Sequence, residues 1–106
     1  SDVYLIAAEA AVKTGGDATS YINTLRKNRI EGYTDVASVT LEDILFERRI
    51  ELFAENSMAF DYWRNKMSVK NPNVGEVNYD DYRVILPIPQ DEINLAPDVL
   101  IQNPGY

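Results

Sequence analysis

The chain has 106 residues, carries ten Lys and Arg against seventeen Asp and Glu for a formal net charge of −7, and contains neither Cys nor His. That length suits one modest domain with a limited core. Without Cys there are no disulfides, thiolate nucleophiles or Cys-based metal sites, and without His the commonest general base and metal ligand is gone. No basic run is present, so no nucleic-acid partner is expected. No apolar stretch is long enough to span a bilayer. The opening Ser1-Asp2-Val3-Tyr4 does not read as a signal peptide. It starts almost inside a helix, which suggests a piece of a longer chain.

Asp2 to Thr14 reads as a helix that is apolar on nearly every side, through Val3, Tyr4, Leu5, Ile6, Ala7, Ala8, Ala10, Ala11 and Val12. Such a helix is expected to be buried all round. Gly15-Gly16 stops it, and Asp17 can cap a second helix reaching to Arg29, with Ala18, Tyr21, Ile22, Leu25 and Arg29 along one stripe. The two form a helical hairpin about the length of one tetratricopeptide-type unit of ~34 residues, which normally needs stacked neighbours.

Glu31 to Ser38 is a polar loop. Thr40 then opens a third helix, with Asp43 completing a variant capping box and Val39 and Ile44 in the two staple positions. This helix is expected to run from Leu41 to about Glu55. Asn56-Ser57 can break it, and Met58 to Asn65 suits a short fourth helix. From Met67 to Asp81 the pattern dissolves into turn chemistry at Asn71-Pro72-Asn73 and Val74-Gly75. Arg83 to Leu86 suits one extended segment, and Pro87-Ile88-Pro89 forces extended backbone. Gln90 to Leu95 suits one helical turn, and Asn103-Pro104-Gly105-Tyr106 a terminal turn. The fold class is therefore mainly α: a helical hairpin (1–30), a long helix and a short one (40–66), and an irregular Pro-rich strap (67–106), with little or no β. The strap's apolar residues are expected to lie across the helices.

The third helix is dense in charge, with Glu47, Arg48, Arg49, Glu51 and Glu55. At about 100° per residue Arg48 falls between Leu45 and Leu52, toward an apolar face. A guanidinium there needs a carboxylate, and Glu51, Glu55 and Asp61 are within reach. Asp61 and Arg64 stand three apart and can pair. These seven charged residues read as a structural ion network. The rival, paired carboxylates for glycoside hydrolysis, is disfavoured because neighbouring Arg residues keep the acids ionised. Asp and Glu pairs elsewhere lack calcium-loop spacing. No phosphate loop, nucleophile elbow or zinc helix occurs, so no catalytic residue, metal or cofactor is expected. Sugar rings present an apolar face of C–H groups to aromatic side chains. Tyr33, Trp63, Tyr79 and Tyr82, in loops or near helix ends, are the candidates for such contacts, with packing as the competing role.

Four stretches together resemble the C-terminal region of the SusD/RagB family. They are Ala8-Glu9-Ala10 through Gly16 with Ile22 to Arg29; Thr40 to Leu45 with Glu47-Arg48-Arg49-Ile50-Glu51-Leu52; Leu86-Pro87-Ile88-Pro89-Gln90-Asp91-Glu92-Ile93; and Gln102-Asn103-Pro104-Gly105-Tyr106. The chain departs from the family pattern at Asn56 to Ala59, where Gly, a basic and an aromatic residue are usual. The resemblance implies a surface-exposed lipoprotein of the outer membrane, anchored through a Cys outside this sequence and mostly helical around tetratricopeptide-like repeats. It implies closure over a SusC-like TonB-dependent transporter, with glycans and sometimes peptides as ligands, and binding rather than catalysis. The alternative is a protein-interaction or scaffold module with no ligand site of its own.

Overall fold

The computed structural model describes residues 1–55 and 57–106. It is mainly helical and divides into two compact units, Ser1–Met58 and Ala59–Tyr106.

In the first unit, α1 (Asp2–Thr14) ends at Gly15, which takes the left-handed φ of 75° that a Cβ would strain. Gly16 N–H reaches back to the Ala11 carbonyl at 2.8 Å, the closing bond of a Schellman-type cap. The Asp17 side chain accepts from Ser20 N at 3.0 Å and starts α2 (Ala18–Lys27). α2 stops two residues short of Arg29, because the Asn28 amide donates to the Thr24 carbonyl and competes with the helical ladder. α3 (Leu41–Glu51) begins with the expected capping box: Asp43 N donates to Thr40 Oγ1, and Thr40 N to Asp43 Oδ2. It ends four residues earlier than expected. Ala54 takes a left-handed φ of 68°, a conformation usually marked in sequence by Gly. The expected break at Asn56-Ser57 falls partly on Asn56, which lies outside the described residues.

Leu5, Ala8, Ala18, Ile22, Leu25 and Ile44 form the core of this unit, with Ala11, Val12 and Val39 partly buried against it. Val39 and Ile44, the two staple positions, thus both join this core. Burial all round α1 does not occur. Leu5, Ala8 and Glu9 face inward, while Val3 (76%), Tyr4 and Ile6 (54%) stay exposed. Among the described residues α2 and α3 are the main elements packed against α1, and two neighbours cover one side of a cylinder.

The buried Asn23 ties down the loop that follows α2. Its Nδ2 donates to Val36 O at 3.0 Å, and its Oδ1 accepts from Val36 N (3.1 Å) and the Tyr33 hydroxyl (2.8 Å).

The second unit holds α4 (Met58–Arg64) from its second residue on, an antiparallel hairpin of β1 (Val69–Asn71) and β2 (Gly75–Val77), a 3-10 turn over Tyr82–Val84, and α5 (Gln90–Leu95). Lys66, at φ 58°, closes α4, with Met67 N donating to Tyr62 O at 3.0 Å. The hairpin register pairs Val69 with Val77, Lys70 with Glu76 and Asn71 with Gly75. The turn residues stand where expected, but the flanks pair, because strands of three residues carry no readable alternation.

The expected extended segment at Arg83 is corrected: Asp81 Oδ1 caps the 3-10 turn by accepting from Arg83 N at 2.9 Å, and extended backbone begins only at Ile85. From there the chain end runs beside 85–88. Gln102 accepts from Ile88 N (2.8 Å) and donates to Ile88 O (2.9 Å); Asn103 Nδ2 donates to Leu86 O (2.7 Å); the Tyr106 hydroxyl donates to Ile85 O (2.9 Å). Side chains replace a backbone ladder here because Pro87 and Pro89 have no N–H to give.

Candidate functional site

The charged residues sort into pairs by position on their helices. Arg26 lies on the last turn of α2 and Arg29 just past its C-cap, three residues on, and Glu47 and Glu51 lie one turn apart on α3. They meet in order: Arg26 Nη2 to Glu47 Oε2 at 2.8 Å, and Arg29 Nε to Glu51 Oε1 at 3.0 Å. The matching i,i+3 and i,i+4 spacings were a readable signal for Arg26 and Arg29 as partners. The bond with Glu47 raises the Arg26 guanidinium above its ordinary range, and the Arg29 bond lowers the Glu51 carboxyl. Lowered carboxyls are poor general acids.

Arg48 is buried, its side chain 8% exposed, and donates to Asp2 Oδ1 on α1 at 2.9 Å. No local pattern announces that partner, which is 46 residues away in sequence. Asp61 is buried and pairs with Arg64 on α4 at 2.7 Å. Arg49 and Glu55 are exposed and join no ion pair among the described residues.

The four aromatic candidates fall in three places. Tyr33, half-buried in the first unit, spends its hydroxyl on Asn23. Trp63 on α4 donates its indole N–H to Val77 O at 3.2 Å, and its ring meets Phe60 edge-on at 5.8 Å. Both have the bonding of packed residues. Tyr79 and Tyr82 come together. They line a groove of about 400 Å³ with Asp80, Asp81, Val84, Ile85, Asn103 and Pro104.

One wall of that groove is held by a charge-assisted fork. Arg83 donates from Nε to Asp81 Oδ1 (2.8 Å) and from Nη2 to Asp81 Oδ2 (2.7 Å), while its Nη1 donates to Val74 O (3.2 Å). The Arg83 bonds hold the Asp81 carboxyl down at about 2, and the Asp81 side chain raises the Arg83 guanidinium. The other wall is the terminal turn. A Cβ at Gly105 would fall 2.5 Å from Tyr82 Cγ, so only Gly allows the backbone against that ring. Tyr106 meets the Tyr82 ring edge-on at 5.1 Å. Asn103, Gly105 and Tyr106 were not among the aromatic and charged candidates; their part depends on the chain end folding back.

Among the described residues no group of acidic side chains could hold a metal ion, and no helix is long and apolar enough to cross a membrane.

The chain matches the SusD family over residues 1–106. It is 34% identical over 124 aligned residues to SusD-like protein P2 of Formosa agariphila, covering all of this chain and 25% of that protein. It is 33% identical over 118 residues to starch-binding protein SusD of Bacteroides thetaiotaomicron, covering all of this chain and 20% of that protein. The chain thus spans a fifth to a quarter of the length of these curated relatives. Among solved structures, a putative sugar binding protein from Bacteroides vulgatus superposes with a TM-score of 0.82 at 37% identity, over 97% of this chain and 27% of that one. A SusD superfamily protein from Bacteroides thetaiotaomicron superposes with a TM-score of 0.83 at 35% identity, over 97% and 26% of the two chains. With a family match along its whole length and the same backbone in solved members, the chain belongs to the SusD family.

Proposed function

We propose that this chain is the C-terminal part of a glycan-capturing lipoprotein that delivers oligosaccharides to a SusC-like TonB-dependent transporter at the outer membrane. The observation that carries this reading is the similarity, along the whole chain, to a protein named for starch binding. The charge chemistry supports binding over catalysis. Glu47, Glu51 and Asp61 are each bonded to an Arg, and the Arg29 bond holds the Glu51 carboxyl below its ordinary range, which makes it a poor proton donor. The test is titration calorimetry with soluble starch and a panel of other soluble polysaccharides. It uses this chain and the longer protein that carries it, together with co-purification of the transporter. Saturable polysaccharide binding and a stable complex with the transporter are expected. A longer protein that binds no polysaccharide and no transporter refutes the reading.

A second reading, a scaffold module without its own ligand site, is favoured by one observation. Val3 and Ile6 on α1, and Phe46, Ile50 and Phe53 on and just after α3, are all exposed, Phe53 at 83%. Apolar side chains at such spacing suit packing against another protein surface. Binding by the longer protein with none by this chain alone selects that reading.

A further inference from the structure

We propose that the groove between Tyr79, Tyr82 and Asn103 is a subsite for one neutral sugar ring, with Tyr82 as its stacking platform. The proposal rests on glycan capture and gives it a place on this chain.

Hydrogen-bonding capacity separates Tyr79 and Tyr82 from Tyr33, Trp63 and Tyr106. The Tyr33 and Tyr106 hydroxyls and the Trp63 indole N–H are all spent on internal acceptors. The Tyr79 and Tyr82 hydroxyls, the Asp80 carboxylate and the Asn103 Oδ1 have no partner among the described residues. These four residues line a mostly apolar groove whose volume, about 400 Å³, lies in the range of small-ligand sites.

Two of the four are pre-oriented. Asn103 is fixed by its Nδ2 bond to Leu86 O and its backbone N–H bond to Gln102 Oε1. Tyr82 is 48% exposed, yet its ring lies against the Gly105 backbone and the Tyr106 ring. A ring already immobilised loses little rotamer freedom when a ligand stacks on it.

This set of groups matches a pyranose. Its C–H face covers the Tyr82 ring, its hydroxyls donate to Asp80 and Asn103 Oδ1, and they accept from the tyrosine hydroxyls. The uncompensated Asp80 carboxylate and the chain's net charge of −7 select neutral sugars over uronic acids. Gly105 and Tyr106 are positioning residues, since they act through Tyr82.

Saturation-transfer NMR and titration calorimetry on the 106-residue chain test this. The probes are maltoheptaose, laminarihexaose, xylohexaose and mannohexaose, with a galacturonate hexamer as the anionic comparison. At least one neutral oligomer is expected to bind and to receive saturation from tyrosine ring protons, while the galacturonate oligomer does not. Tyr82→Ala is expected to weaken binding about tenfold or more, as truncation of a central aromatic contact does. Tyr82→Phe, which keeps the platform, stays within about threefold, and Asp80→Ala, which removes no internal bond, weakens binding severalfold without moving the thermal melt. Folded Tyr82→Ala and Asp80→Ala variants that bind like the unaltered chain put the sugar elsewhere; the subsite fails and glycan capture stands. An unaltered chain that binds no probe also overturns the subsite, and capture falls with it only if the longer protein binds no polysaccharide.

Discussion

The two units solve the same problem, holding an irregular segment in place, with the same device in different surroundings. In the first, the Asn23 amide grips the backbone N–H and C=O of Val36; in the second, the Gln102 amide grips those of Ile88. Asn23 is buried beside a packed core of Leu5, Ala8, Ile22 and Ile44. Gln102 is half-buried, and the only fully buried residues described in its unit are Val77 and Asp61. The first unit is thus organised by apolar packing with polar clamps added. The second is organised by the clamps themselves: Gln102, Asn103, Tyr106 and the Arg83–Asp81 fork. A segment punctuated by Pro87 and Pro89 cannot complete a ladder of its own, so long polar side chains supply the missing donors and acceptors. Such a segment can leave aromatic rings open to solvent, as at Tyr79 and Tyr82, where a packed core would take them in.

The contrast can be broken from either side, and the largest effect is expected in the packed unit. Ile44→Ala removes a fully buried side chain from the α1–α2–α3 core and should cost about 2–5 kcal/mol in chemical denaturation. Leu95→Ala in the second unit, at an exposed position, should stay within about 0.5 kcal/mol; comparable costs at both sites would erase the distinction.

Gln102→Ala leaves Ile88 N–H and C=O to water and should cost about 1–2 kcal/mol, with faster hydrogen exchange at the Ile88 amide. If exchange there is unchanged, the clamp does not hold the strap.

Ala54→Gly relieves a left-handed residue after α3 and should stabilise the first unit by about 0.5–1 kcal/mol, read as a higher thermal midpoint.

The smallest effect concerns acid. Asp81 has its carboxyl lowered from an ordinary 3.8 to about 2, so its contribution to folding is complete above about pH 4 and is lost as pH falls toward 2. Asp81→Asn should flatten that part of the acid transition, followed through tyrosine ring resonances of the groove. An acid transition with the same steepness in the variant removes the fork from the account.

Much of the helical frame was legible in the sequence, because its determinants are local. The Gly15 stop, the Asp17 cap, the Thr40–Asp43 box and the apolar stripe of α2 each act within one turn of helix. The terminal turn and α5 were legible for the same reason. Where a boundary depended on a residue that hides its conformation, as with Ala54 at φ 68°, α3 was expected to be too long.

Pairings across distance were legible only when both helices carried matched spacings, as with Arg26 and Arg29 against Glu47 and Glu51. By itself the sequence determined the family, through four short stretches spread along the chain, and the helix starts and the Gly15 stop, which follow from neighbouring residues. Tertiary structure alone decided that Asp2 meets Arg48, that Asn23 and Gln102 clamp distant backbone, and that Gly105 and Tyr106 fold back on Tyr82 to shape the groove. Those contacts join residues 13 to 46 positions apart, or follow from one that does, and no local rule of hydrogen bonding or periodicity reaches that far.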